Sequence, residues 1–380
     1  QVGITTTGHK KSKDLSKYQL IEKSDFAYNP YRINVGSIGL VPNGIRGLVS
    51  PAYVVFSVNN KKLLPDLLFD FLKAKEGLFQ IGKYARGTVR KALRFSDLCQ
   101  IEMPIPSLEI QRKITEKKIR IQPVAEKLKN ELTHQQTLLK KLRQQILQEA
   151  IEGKLTADFR AKNPDIEPAG KLLSRIKAEK EQLIKEKKIR KQKPLPPISE
   201  EEKSFKLPEG WVWCRLGEYA LFERGKFSIR PRNDPSYFGG EYPFIQIGSL
   251  DGSGSVIEDY TQTLNEKGLA ASKMFEKGTI MIAIVGGTIG NLGVLGKDMC
   301  FPDSIVGVRP IFMTCQDYVL MLLQHYQPVI RELSYQMAGQ PNIKLPTLNN
   351  LVCAFPSLPE QKTIVAKVEK LLSLCDQLET

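Results

Sequence analysis

The residues best equipped for chemistry in this 380-residue chain are cations and amides on glycine-bearing loops. One loop runs Lys83-Tyr84-Ala85-Arg86-Gly87-Thr88-Val89-Arg90-Lys91. A second basic stretch carries Arg224, Lys226, Arg230 and Arg232, and a late loop holds Gly339, Gln340, Asn342 and Lys344. Arg, Lys, Asn and Gln are the side chains that make paired hydrogen bonds to base edges in a DNA groove. Lys, Arg, Ser, Thr and loop N–H groups hold phosphates. The candidate DNA contacts in the first half are therefore Tyr84, Arg86, Thr88, Arg90 and Lys91, with Arg32, Arg46 and His9-Lys10-Lys11 behind them. In the second half they are Arg224, Lys226, Arg230, Arg232, Gln246, Gln340, Asn342 and Lys344. Thr288 joins them because Gly286-Gly287-Thr288-Ile289-Gly290 lets backbone approach a phosphate. For any one of these residues the competing reading is a solvated surface charge.

Other chemistries find little support. Asn29-Pro30-Tyr31-Arg32 is close to the Asn-Pro-Pro-Tyr loop that holds a base amino group during methyl transfer. The second proline is absent, however, and no glycine-rich cofactor turn follows a strand in the needed order. Gly286–Gly290 has no Lys-Ser or Lys-Thr after it, so it is no phosphate-cradling P-loop. His9, His134 and His325 are far apart, and the six cysteines contain no Cys-x-x-Cys pair. No metal site and no disulfide framework is expected, which fits a reducing cytoplasm. No apolar run reaches membrane-spanning length, and no signal-peptide pattern opens the chain. The formal charge is +15, from 56 Lys and Arg against 41 Asp and Glu. An excess of that size favours a polyanionic partner, although the Lys-rich run at 177–193 supplies part of it.

The elements that must position these loops read as follows. Tyr18–Ile21 and Ala52–Val58 are strands, and Leu63–Leu78 is a helix with one apolar face. From Pro106 to Leu155 runs a long charged, apolar-periodic segment. Leu128, Leu132, Leu139, Leu142 and Ile146 step by four and three residues, the seam of a helix packed on another helix, and Gln135 takes the polar position that can fix register. Pro123 either opens the main helix at its first turn or kinks it. Gly170–Lys193 is helical and is stopped by Pro194-Leu195-Pro196-Pro197. Leu207-Pro208-Glu209-Gly210-Trp211-Val212-Trp213 starts a new globular unit, with Gly278–Val285 a buried strand and 316–334 a helix.

The style of the first half returns in the second. A shift of about 250 residues lays Gly36-Ser37-Ile38-Gly39 on Gly287-Thr288-Ile289-Gly290, and Asp66 and Leu72 on Asp317 and Leu323. It also lays Gly87 and Leu93 on Gly339 and Leu345, and Pro106-Ser107-Leu108 on Pro356-Ser357-Leu358. On that alignment residue 1 answers to about position 250, and the helix from Pro359 reaches Thr380 halfway along its counterpart. The chain lacks an initiator Met. It is expected to be cut from something longer, with the first unit and the second long helix both truncated.

This order of parts resembles the specificity subunit of Type I restriction-modification systems. The resemblance rests on Trp211, Trp213, Leu216 and Gly217, on Tyr242-Pro243-Phe244-Ile245-Gln246-Ile247-Gly248-Ser249, on Gly286–Gly290 and on Pro356–Gln361. In the first half it rests on Asp25–Gly39 and on Leu142–Leu155. It implies an α+β fold of two similar mixed α/β target recognition domains, the first truncated, joined by long antiparallel coiled-coil-like helices. The boundaries expected are 1–105 for the first domain, 106–155 for the first spacer helix, 156–206 for a charged linker, 207–356 for the second domain and 357–380 for the start of the second spacer helix. Each domain would read one half of a split double-stranded DNA sequence, and the helices would dock two methyltransferase subunits, with restriction subunits in the complex. The chain itself would be non-catalytic, with S-adenosylmethionine, ATP and magnesium on partner subunits. The rival expectation is a coiled-coil adaptor whose basic surface serves protein or RNA contacts.

Overall fold

A computed structural model describes residues 15–87, 90–335 and 342–379. The chain divides into two compact units, Gln1–Thr133 and His134–Thr380. The division falls inside the long helix.

In the first unit, β1 (Gln19–Ile21) pairs antiparallel with β4 (Gly47–Val49). β2 (Phe26–Tyr28) lies between β3 (Ile38–Leu40) and β5 (Val54–Phe56), both antiparallel to it. Phe26 and Tyr28 are fully buried and share a core with Ile33, Leu72, Ile81 and Leu93. The expected helix over Leu63–Leu78 is two helices, α1 (Pro65–Lys73) and α2 (Lys75–Tyr84), broken at Ala74. The break serves packing: a Cβ on Gly77 would lie 2.0 Å from the Phe71 carbonyl oxygen, so α2 folds back tightly on the end of α1. A short α3 (Phe95–Leu98) follows.

α4 is one helix from Leu108 to Ile151, 44 residues. Pro123 neither opens it nor ends it. It sits on the exposed face, where a missing N–H leaves only a carbonyl that water can satisfy. In the first unit Gln111, fully buried, pins the start of α4. Its amide donates to the carbonyls of Lys62 (2.9 Å) and Pro106 (2.8 Å) and accepts from the Leu64 N–H (2.8 Å). From Ile119 to Leu138 every residue is exposed.

The second unit takes up the end of α4. Ile146, Leu147, Ala150 and Ile151 enter its core. α5 (Ala157–Lys162) and α6 (Ala169–Lys185) follow; α6 stops well before Pro194. The stretch expected to be a linker is a packed element, since Ala169, Leu172, Leu173 and Ile176 of α6 are buried in the same core. Their burial contributes on the order of 6 kcal/mol as an upper bound. Then come β6 (Val212–Arg215), α7 (Leu216–Tyr219), β7 (Ala220–Arg224), β8 (Phe238–Phe244), β9 (Val256–Ile257), β10 (Gln262–Leu264), α8 (Glu266–Ala271) and β11 (Met274–Phe275). They are followed by β12 (Ile280–Ala283), β13 (Leu292–Leu295), β14 (Met299–Cys300) and β15 (Ile305–Pro310). α9 (Gln316–Tyr335), α10 (Leu345–Asn349), β16 (Val352–Phe355) and α11 (Leu358–Gln377) complete the unit. The main sheet has the order β7-β15-β12-β13-β9, a second sheet β10-β8-β14-β11, and β6 pairs with β16. β12 is a continuous apolar run buried on both faces, as a central strand must be.

Candidate nucleic-acid interface

The register of the main sheet in the second unit gathers one group of loops at one end. Arg224, the last residue of β7, lies opposite Val306 of β15, and Ile305 lies opposite Ala283, the last residue of β12. The segments leaving or reaching that end are therefore 224–226, 303–305 and 283–291. Asp303 is its organiser. Its main-chain carbonyl accepts from Arg224 Nε, and its carboxylate accepts from Arg232 Nη2 at 2.8 Å. Lys226 is held by its N–H donating to the Phe301 carbonyl (3.1 Å), and Ile245, just before Gln246, donates to the Cys300 carbonyl (3.0 Å). Gln246 in turn donates its side-chain amide to Gln262 Oε1 at 3.0 Å.

The turn 283–291 meets the late loop on its other side. Val285 and Asn342 form an antiparallel bridge, and the Ile343 N–H donates to the Ile284 carbonyl at 2.9 Å. Ile343 is buried while Asn342 and Lys344 are exposed, so strand alternation points the two polar side chains away from the core. Thr288 is half-buried and spends its hydroxyl on the Val285 carbonyl (3.3 Å). Helix α9 fixes the turn from behind: Gln327 donates to the carbonyls of Gly252 and Gly290, and Arg331 Nε donates to that of Ile289.

The first unit builds the same device. β3-β2-β5 answers to β13-β12-β15, with Tyr28 paired to Ile38 and Val54 as Ile282 is paired to Leu292 and Val306. Asn29 N–H donates to the Ser37 carbonyl (3.3 Å) where Ala283 N–H donates to that of Asn291 (2.9 Å). Leu93 N–H donates to the Pro30 carbonyl (3.0 Å) where Ile343 donates to Ile284. Gly36 and Gly290, at φ +81 and +82, each stand two residues before the next strand. Two expected correspondences are thereby corrected. Gly36 matches Gly290 rather than Gly287, and Leu93 matches Ile343 rather than Leu345. The shared Ser/Thr-Ile-Gly letters were misleading because the turns are anchored by hydrogen bonds, not by those letters.

The second correction exposes a residue the sequence reading missed. Arg94 and Lys344 are equivalent: each is exposed and stands immediately before a short helix, α3 or α10. The shift of 250 set by Pro106 and Pro356 would have found it.

Of the other candidates, Arg86 forms a backbone bridge with Ala92 and pairs its guanidinium with buried Asp97 at 3.0 Å. Arg90 and Lys91 are exposed beside it, Gly87 takes φ +132, and Tyr84 packs into the core with Lys83 over its ring. Arg32 is exposed in the turn 29–37, beside Tyr31, which is 61% exposed. Arg46 is committed to Glu22 (3.0 Å) and stands apart on the loop before β4. Arg230 curls onto the carbonyls of Phe227 and Ile229 and does not join Asp303. Thr88, Gln340 and His9-Lys10-Lys11 lie outside the described residues. Each unit thus presents exposed cations at one sheet end, joined in the second unit by Asn342, the chemistry needed to contact phosphates and base edges.

A family model described as the Type I restriction modification DNA specificity domain matches residues 2–140 and 208–380. The chain belongs to this family. The specificity subunit of the Type I restriction enzyme EcoAI of Escherichia coli is 36% identical over 260 residues, covering 63% of this chain and 41% of that relative. The EcoEI specificity subunit of the same organism is 34% identical over 259 residues, covering 63% and 40%. The chain thus spans about two fifths of these curated relatives' length. A solved chain described under the structural basis of complex assembly and conformational transition of the type I R-M system shares the fold at TM-score 0.64. It is 22% identical and covers 95% of this chain and 77% of that one.

Within this specificity-domain chain the seam residues divide. Leu128, Leu132, Gln135 and Leu142 are exposed, Leu139 is half-buried, and Ile146 is buried in the second unit. The seam is therefore covered only at its C-terminal end. There α11 runs antiparallel to α4: Arg143 pairs with Asp376 (2.7 Å) and Glu379 (3.3 Å), while Lys367 donates to the Leu155 carbonyl (2.8 Å), past the end of α4. Among the described residues no helix is long and apolar enough to cross a membrane, and no cluster of three His, Cys, Asp or Glu could hold a metal.

Proposed function

We propose that this chain is a non-catalytic DNA sequence-specificity component of a Type I restriction-modification complex, acting in the cytoplasm. Each unit reads one half of a split double-stranded site through its sheet-end loops, and α4 sets the gap between the halves. The observation that carries this reading is the sheet-end turn built twice with matching hydrogen bonds, each time flanked by exposed Arg, Lys or Asn. The uncovered apolar stripe of α4, with Ile121, Val124, Leu128 and Leu132 all exposed, supports its docking of two methyltransferase subunits. Restriction subunits complete the complex. S-adenosylmethionine, ATP and magnesium act on those partners, and the chain contributes the address. The domain limits 1–105 and 207–356 then mark the readers, and 106–155 and 357–380 the spacer helices.

The test is an insertion of one heptad in the exposed part of α4, which keeps the seam in phase. It lengthens the rod by about 10 Å, or roughly three base pairs of B-DNA. The selected site should keep both half-sequences and gain about three base pairs between them. A single contiguous site, unmoved by the insertion, contradicts the reading.

A further inference from the structure

Glu360, on the first turn of α11, is a buried carboxylate that the recognition surface does not use. It is 2% exposed and lies in the second unit among donors from two distant stretches of chain, 156–160 and Trp211. Trp211 donates its indole N–H to Oε2 at 2.8 Å, Thr156 donates its hydroxyl to Oε1 at 2.7 Å, and Arg160 donates to Oε1 at 2.5 Å. The other guanidinium nitrogen of Arg160 reaches the Gly153 carbonyl at 2.8 Å, and the guanidinium sits over the Trp211 ring. Gly153 ends α4 at φ +71. A Cβ there would come 2.7 Å from Pro208 and 3.1 Å from the Trp211 ring, so the chain can turn here only with glycine.

The buried charge is fully hydrogen-bonded, and its donors come from two distant segments: 156–160, from the turn after α4 into α5, and Trp211 at the start of the second globular core. A buried carboxylate tolerates little rearrangement, because any movement leaves charge unpaired in a low-dielectric site. Lys367, two turns along α11, repeats the tie by donating to the Leu155 carbonyl and to Asp158, both at 2.8 Å. The corresponding position in the first unit, one residue before buried Gln111, is Ile110, which is half exposed. The knot is specific to the second unit among the described residues.

We propose that Glu360 is a positioning residue for split-site recognition. Its knot with Arg160, Thr156 and Trp211 fixes the direction in which α4 leaves the second recognition unit, and so fixes which gap between half-sites is accepted. This rests on the split-site reading above. A rod leaving one end at a fixed angle converts small angular freedom into large displacement. Over the roughly 30 Å of exposed helix, a play of about 10° at the knot moves the far end by about 5 Å, more than the rise of one base pair.

The experiment uses the full chain assembled with its methyltransferase partner, on duplexes that carry both half-sites at the preferred gap and at one base pair more or less. Two variants are compared with the unaltered protein: Glu360→Gln, which keeps the shape and loses the charge, and Arg160→Ala, which removes a less deeply buried partner and safeguards against misfolding of the first. Both should select the same two half-sequences. Their affinity ratio between the preferred gap and its neighbours should fall at least fivefold, and Arg160→Lys should restore part of it. An unchanged ratio in a folded variant, or an equal loss at every gap, overturns the positioning role. If the unaltered protein shows no gap preference at all, the split-site reading fails and takes this proposal with it.

Discussion

Two lysines give the proposed recognition surface its cleanest perturbation. Lys226 and Lys344 are exposed at the sheet end of the second unit, and neither side chain has a partner among the described residues. Arg224 and Arg232 are poorer choices, since both are held by Asp303 and their loss would unsettle that loop. Replacing both lysines by glutamine should leave folding almost untouched, within about 0.5 kcal/mol. If each lysine neutralises one phosphate, the slope of log K against log salt should flatten by about 1.8 units. At 0.1 M salt that slope change corresponds to roughly 60-fold weaker binding, with the two proteins converging toward 1 M. Fluorescence anisotropy on a duplex across a salt series measures both numbers, and a competing scrambled duplex checks sequence preference, which should stay as it was. An unchanged slope in a correctly folded double variant would refute the placement of DNA against this end of the sheet.

Further outcomes follow from other contacts. Arg94→Ala, the first-unit counterpart of a Lys344 change, should lower affinity several-fold and flatten the salt slope by about one unit; a neutral result would separate the two sheet ends. Arg215 is 3% exposed and donates to the carbonyls of Pro196, Pro197 and Asn350 and to both oxygens of Glu202. Arg215→Met strands those acceptors and should cost about 3 kcal/mol or more in urea unfolding. Burial pushes the His325 imidazole down to about 4. The unfolded chain then binds more protons between pH 4 and about 6.5, so stability should fall as pH drops through that window, by up to roughly 3 kcal/mol. His325→Gln should abolish that acid limb, seen by comparing urea midpoints across it. Pro123→Ala restores a helical N–H on the exposed rod and should stabilise α4 by up to about 3 kcal/mol in thermal melts of the full chain.

Much of the architecture was legible because it repeats. Pro106-Ser107-Leu108 and Pro356-Ser357-Leu358 both open long helices, and the glutamines that follow, Gln111 and Gln361, are both buried and both cap back to the proline carbonyl. The helix over 316–334 and the buried strand at 280–283 were legible from apolar pattern. The break at Ala74 was not, because it is set by how closely Gly77 lets α2 approach α1. The registers of the two sheet-end turns were misread by two or three residues, since short repeated letters mark them less well than their hydrogen bonds do. Asp303 and Glu360 could not be found from sequence. Glu360 meets its donors across 149 to 204 positions, and only the folded chain brings them together. Sequence does not tell a cation without a side-chain partner among the described residues, such as Lys226, from one already paired, such as Arg46.

The measurement closest to the central claim is selection of binding sites from randomised duplex DNA by the chain with the methyltransferase of the proposed complex, run in parallel with Asn342→Ala. Asn342 is exposed at the second sheet end and bridges to Val285 through backbone, with no side-chain partner among the described residues. The unaltered chain should select two short sequences at a fixed gap. The variant should keep one and relax the other at a single position. A contiguous site, or a change in both halves at once, would contradict two separate readers on one rod.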